Sequence, residues 1–174
     1  MCSSDLDSPY TYFSSPELHL GEISLECSRP GAAAVALWAT QRLFPLLPGG
    51  AFAQALGQGR AAALVLYEKL RGDARFLTAF RPELDILVWV PRARRASDAS
   101  QLARRIFAEA ARRQLHLALA ELPVEFFDLA AAGMERDQDT LTCLRSVLMK
   151  PEHRAWGDRI WELLDGATSA VLQR

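Results

Sequence analysis

Several residue types that usually announce chemistry are scarce or badly placed in this sequence. Its three cysteines, Cys2, Cys27 and Cys143, are odd in number and widely separated, with no Cys-x-x-Cys pair and no cysteine/histidine cluster. That spacing excludes the usual zinc-ligand patterns and points to reduced thiols. The three histidines, His19, His116 and His153, are equally scattered. None has a carboxylate or nucleophile at a telling spacing, so each reads as structural or solvent-facing. Lysine occurs only twice, as Lys69 and Lys150. No apolar run approaches the roughly 20 residues that span a bilayer, and the N-terminus lacks the basic-then-apolar pattern of a secretory signal. A cytoplasmic protein without a membrane partner is therefore expected. With 20 basic and 21 acidic side chains the formal net charge is -1, which gives no reason to expect nucleic acid as a partner. There is no nucleophile elbow, no glycine-rich phosphate loop and no pair of carboxylates in a recognisable frame.

What is present is apolar and periodic. Half of the 174 residues are hydrophobic, enough to bury a sizeable core. Residues 1 to 16 are polar and without period, and "LHLGEISL" alternates weakly, passing through extended structure around Gly21. Pro30 fixes its own backbone angle and disfavours helical geometry at Arg29, so a helix is expected with Arg29 as cap and Pro30 as first residue, ending near Phe44 at Pro45. A second helix is expected from Ala51, on the spacing of Phe52, Leu56, Ala63, Leu66, Tyr67 and Leu70. Gly57 and Gly59 inside it each cost on the order of 1 kcal/mol against alanine, which hints at close packing.

From Asp73 the pattern changes. Residues 76–80 and 84–90 read as strands around a tight turn at Arg81-Pro82-Glu83, and Ser97 reads as the cap of a helix through Arg113 with Leu102, Ile106 and Ala110 inward. Arg104, Arg105, Arg112 and Arg113 fall on its outer face among Glu109 and Gln114, a solvated surface and not a nucleic-acid patch. Residues 115–119 and 140–149 are further strand candidates, divided by the polar "GMERDQD". Trp156, Ile160, Leu163, Leu164, Ala167 and Val171 define a closing amphipathic helix. The order ββαββα after two helices predicts an α+β domain with a mostly antiparallel sheet. The division follows: 1–29 an irregular lead-in, 30–72 two linking helices, 73–174 a small α+β domain.

One segment, "LECSRPGAAAVALW", suggests a site. The amides of Gly31 and Ala32 at a helix start, with the Ser28 hydroxyl and the Arg29 guanidinium nearby, suit an anion or a partner's polar loop. An ordinary helix start packed by small residues fits the same spacing.

The longer stretch "LECSRPGAAAVALWATQRLFP" resembles the region after the active lysine in the pyridoxal-phosphate-dependent group II amino-acid decarboxylases, relatives of the aromatic amino-acid and glutamate decarboxylases. "PELDILVWV" resembles that family's first small-domain strand, and "TLTCLRSVLMKPEHRAWGDRIWELL" its closing strand and helix, so the likeness runs over about residues 8 to 166. Ser-Arg-Pro-Gly also resembles the sphingosine phosphate lyases, which keeps a carbon–carbon lyase open as an alternative, beside a non-catalytic α+β interaction module.

The resemblance implies the C-terminal small domain of a fold-type I, aspartate aminotransferase-like enzyme. The complete enzyme would decarboxylate an amino-acid substrate with pyridoxal phosphate held as a Schiff base to a lysine that follows a histidine, and with an aspartate at the pyridine nitrogen. Lys69 follows Glu68 and Lys150 precedes Pro151, so neither matches; the anchoring residues would lie upstream of Met1, and this portion alone would be inactive. The resemblance places Cys27, Ser28 and Arg29 in a loop that approaches the partner subunit's site in a homodimer. An apparent extra residue before Trp38 departs from the aromatic and glutamate enzymes and leaves the register of that loop open. Arg145 corresponds to a strand arginine that reaches the substrate region, where its planar fork would hold a carboxylate. The alternative for Arg145 is an ion pair within this chain.

Overall fold

The apolar run "ILVWVP" and the mixed segment "TLTCLRSV" lie side by side at the centre of a sheet. They are β2 (Ile86–Pro91) and β4 (Thr140–Val147), and they pair antiparallel with Val88 opposite Arg145 and Trp89 opposite Leu144. The shorter β1 (Phe76–Thr78) flanks β2, and β3 (Ala118–Pro123) flanks β4, giving the order β1-β2-β4-β3 with every pairing antiparallel. Central strands need apolar side chains on both faces, and edge strands do not. The assignment matches the residues, since β2 is buried along nearly its whole length while no residue of β3 is fully buried.

The computed structural model describes residues 31–173, in two units divided between Gly50 and Ala51. The first contains α1 (Gly31–Leu43), in the alanine-rich segment where a helix is expected. Pro45 has no amide hydrogen to continue it, and the final turn closes with the Phe44 amide donating to the Thr40 carbonyl at 2.7 Å. The chain then turns through Gly49, at φ 70°, a left-handed geometry that favours glycine.

The second unit holds α2 (Ala51–Gly72), α3 (Ala96–Arg112), α4 (Gly157–Leu172) and the sheet. On one sheet face Leu87, Trp89 and Leu144 pack against Leu66 and Leu70 of α2, Ile106 of α3 and Leu164 of α4. Each such buried side chain contributes roughly 1.5–3 kcal/mol. On the other face Val88, Val90, Leu141 and Cys143 pack against Val124, Phe127, Leu129 and Met134 from the β3–β4 connection, and against Ala96 and Ala99 at the head of α3. The result is an α+β domain with a four-stranded antiparallel sheet, as expected.

The details depart from expectation at three places. Strand β3 starts at Ala118 and not at Leu115, because Gln114 takes φ 63° and its left-handed turn carries residues 115–117 off the end of α3 before pairing begins at Ala118 opposite Arg145. The hairpin link is not a tight turn at Arg81-Pro82-Glu83 but the whole of residues 79–85. Ser97 is not the cap of α3. Arg95 occupies that position without a side-chain bond, and Asp137, forty residues on, accepts from the Ser97 amide at 2.9 Å and from its hydroxyl. A carboxylate at a helix N-terminus is stabilising wherever in the chain it comes from.

The glycines of α2 separate into two cases. A Cβ on Gly59 would meet the Leu148 carbonyl oxygen at 2.8 Å, so the close packing expected there is real. Around Gly57 a Cβ would meet nothing within 4 Å.

Candidate functional site

Alternation along β4 decides where its polar residues point. Leu144 belongs to the helix-covered face, so Arg145 lies with Leu141 and Cys143 on the other. The β3–β4 connection covers that second face over Val88, Val90, Leu141 and Cys143. Toward the other end, Ile86 is exposed and Ala118, Ala120 and Val147 are half-buried. Arg145 stands at the boundary of the covered part, on an inner strand, with buried Val88 opposite on β2 and half-buried Ala118 opposite on β3.

Arg145 is half-buried and its Nε is fully enclosed with no hydrogen-bond partner. The ion pair within this chain, open as an alternative from the sequence, is not formed among the described residues. A guanidinium carries five donors in a planar fork matched to two carboxylate oxygens. Enclosing one of those donors unpaired costs about 1–3 kcal/mol.

Two residues along β4 is Cys143, fully buried. Loss of hydration pushes its thiol up to about 12, so it is protonated at neutral pH and is no nucleophile. Beside the same face, the β1–β2 link forms a depression of about 350 Å³ lined by Phe80, Arg81, Glu83, Leu84 and Ile86. Phe80 meets Phe126 edge to face, with ring centroids 6.0 Å apart.

The other residues singled out from the sequence are elsewhere. Cys27, Ser28 and Arg29 lie outside the described residues. Lys69 Nζ is 3.0 Å from Asp158 and lies over the Trp161 ring, and Lys150 is exposed ahead of the one-turn 3-10 helix Pro151–Arg154. Among the described residues no group of three histidine, cysteine or acidic side chains converges as a metal site. None of their helices is long and apolar enough to cross a membrane. What sequence reasoning missed was the uneven covering of Arg145's face, which depends on how the β3–β4 connection folds back.

No known protein-family model matches the chain, and no curated protein matches its sequence. Its fold does have counterparts among solved structures. The Catharanthus roseus tryptophan decarboxylase, solved in complex with L-tryptophan, superimposes with a TM-score of 0.58 at 13% identity, over 79% of this chain and 26% of that one. An Oryza sativa TDC, solved with PLP and tryptamine, gives 0.57 at 18% identity, over 77% and 25%. The glutamate decarboxylase domain of the diaminobutyrate-pyruvate transaminase and L-2,4-diaminobutyrate decarboxylase from Vibrio parahaemolyticus gives 0.53 at 15% identity, over 79% and 26%. The chain thus spans about a quarter of the length of these proteins. The likeness to amino-acid decarboxylases expected from the sequence is borne out in three dimensions, and at these identities what the chain shares with them is a fold.

Proposed function

We propose that this chain is the portion of a pyridoxal-phosphate-dependent amino-acid decarboxylase that walls the substrate site, within a larger enzyme of fold type I that works as a homodimer. The observation that carries the proposal is Arg145: a guanidinium with an enclosed, unpartnered Nε, on an inner strand, at the boundary of the covered part of a sheet face. An amino-acid substrate brings a carboxylate, and two parallel charge-assisted hydrogen bonds from Arg145 would fix both its position and its plane. Holding that group rigidly is an entropic contribution to catalysis, since a reacting bond must be aligned before it breaks. The half-buried Val147 and Ala118 beside Arg145 would exclude water and strengthen the pairing. When bound, the cofactor supplies the electron sink for the departing carboxyl group, and residues outside 31–173 would hold it.

Cys27, Ser28 and Arg29 take the role of a loop completing the partner subunit's site, on the strength of the sequence resemblance. Loss of a carboxyl group is preferred over carbon–carbon lysis because the fold likeness is to decarboxylases. The test is Arg145→Lys in the full-length enzyme. Lysine keeps the charge and loses the fork. The substrate's Michaelis constant should rise about tenfold or more with thermal stability retained, the size of effect set by one charged hydrogen bond. An unchanged constant would remove Arg145 from the site.

A further inference from the structure

Ser146, next to Arg145 on β4, points to the opposite, helix-covered face, where it stands across from Leu87. It is 7% exposed, yet its hydroxyl has no hydrogen-bond partner among the described residues. The hydroxyl oxygen is not itself enclosed, so the small remaining exposure of Ser146 includes a polar atom free to bond a guest. Ser146 lines a cavity of about 250 Å³ between the end of β4, the entry to β3 and the head of α4, whose apolar walls include Leu117, Leu148, Ile160 and Leu163. At about 30 Å³ per water molecule this is room for roughly eight waters, or for one compact organic molecule.

The polar lining is one-sided. His116, His153 and Arg159 line the cavity together with Ser146, and no acidic residue does. His153 carries an enclosed unsatisfied group: its Nδ1 is buried without a hydrogen-bond partner. Its ring lies 5.8 Å from that of Trp156, a further wall of the cavity. Arg159 reaches Glu162 at 3.2 Å, but both side chains are about two-thirds exposed. A pair so exposed is worth little, and its arginine remains available. Small-molecule sites are mostly apolar with a few convergent polar groups.

We propose that this cavity binds a small organic carboxylate with an apolar body, the carboxylate toward Ser146, His153 and Arg159 and the body among the leucines. The site opens on the opposite sheet face from Arg145 and does not depend on its role. It is testable on the 174-residue chain by titrating isotope-labelled protein with phenylacetate, phenylacetamide and phenethylamine while following backbone amide resonances. Phenylacetate should give saturable shifts centred on Ser146, Leu148, His153 and Leu163, with the neutral amide and the cationic amine weaker by about tenfold or more, as loss of one charged hydrogen bond requires. Ser146→Ala and the surface change Arg159→Gln should each weaken phenylacetate several-fold, with the free protein's spectrum otherwise preserved. Shifts centred elsewhere, equal affinity for acid and amide, or no saturation into the millimolar range would overturn the proposal.

Discussion

Single atoms decide the behaviour of α2, and its two glycines make the point because local helix propensity treats them alike. Gly57 faces open space, so an added methyl group meets nothing and only lowers the entropy of the unfolded chain. Gly59 lies against the Leu148 carbonyl, where the same methyl would sit at 2.8 Å from a backbone oxygen that cannot swing away. Gly57→Ala should therefore stabilise the protein by roughly 0.5–1 kcal/mol. Gly59→Ala should destabilise it by about 1 kcal/mol or more, the overpacking outweighing the gain in propensity. Urea midpoints at unchanged m-value measure both, and equal shifts would show that the contact with Leu148 is not made in solution. The sequence shows two glycines in a helix; only the fold shows which one is needed.

Among the elements, β1 and α4 are joined by charge as well as by packing. Arg75, just before β1, reaches Asp73 and Asp165 at 2.6 Å each and Ser169 Oγ at 3.1 Å. The Arg75 hydrogen bonds hold the Asp73 carboxyl below its ordinary value, overcoming the opposite effect of burial. The sign of the pH dependence follows. Asp73 protonates at a lower pH in the folded than in the unfolded protein, so its contribution is complete above the unfolded value of about 3.9 and is lost as the pH falls through the depressed one. Stability measured by denaturant should be level from pH 7 toward 5 and then decline on this account. Asp73→Asn should lower stability at pH 7 and make the acid decline shallower; an unaltered decline would assign the acid sensitivity to other carboxylates.

The same scale explains what could be read from the residues in order. Helices α2 and α4 and strand β4 carry long, regular apolar periods, and their positions were legible. Strand β3 was not, because Leu115 and Leu117 alternate as a strand would, yet pack as a link that leaves α3 through a left-handed Gln114. The cap from Asp137 was hidden for a similar reason. It is supplied across forty residues by a loop whose path depends on the finished sheet. Arg145 could be singled out from its apolar surroundings, but its uneven cover and the cavity behind Ser146 depend on contacts between distant elements.

For the whole molecule, the distribution of lysine carries the last step. Pyridoxal phosphate chemistry of the kind proposed begins at a lysine amine in an enclosed site. Lys69 lies 3.0 Å from the exposed Asp158 carboxylate and over the Trp161 face, and Lys150 is exposed. A protein that walls a site without anchoring its cofactor should show that division in a direct chemical assay. Equimolar pyridoxal phosphate followed by borohydride reduction and peptide mapping should give only partial, scattered labelling of Lys69 and Lys150 in the 174-residue chain, while on the function proposed above a longer enzyme should be labelled once, near completion, at a lysine outside it. Near-complete labelling of Lys69 or Lys150 would mean that the chain builds a cofactor site of its own, and Arg145 would then have to be placed relative to that lysine instead. The two outcomes differ in the peptide carrying the label, so the assay decides between a wall and a self-contained site without requiring any turnover.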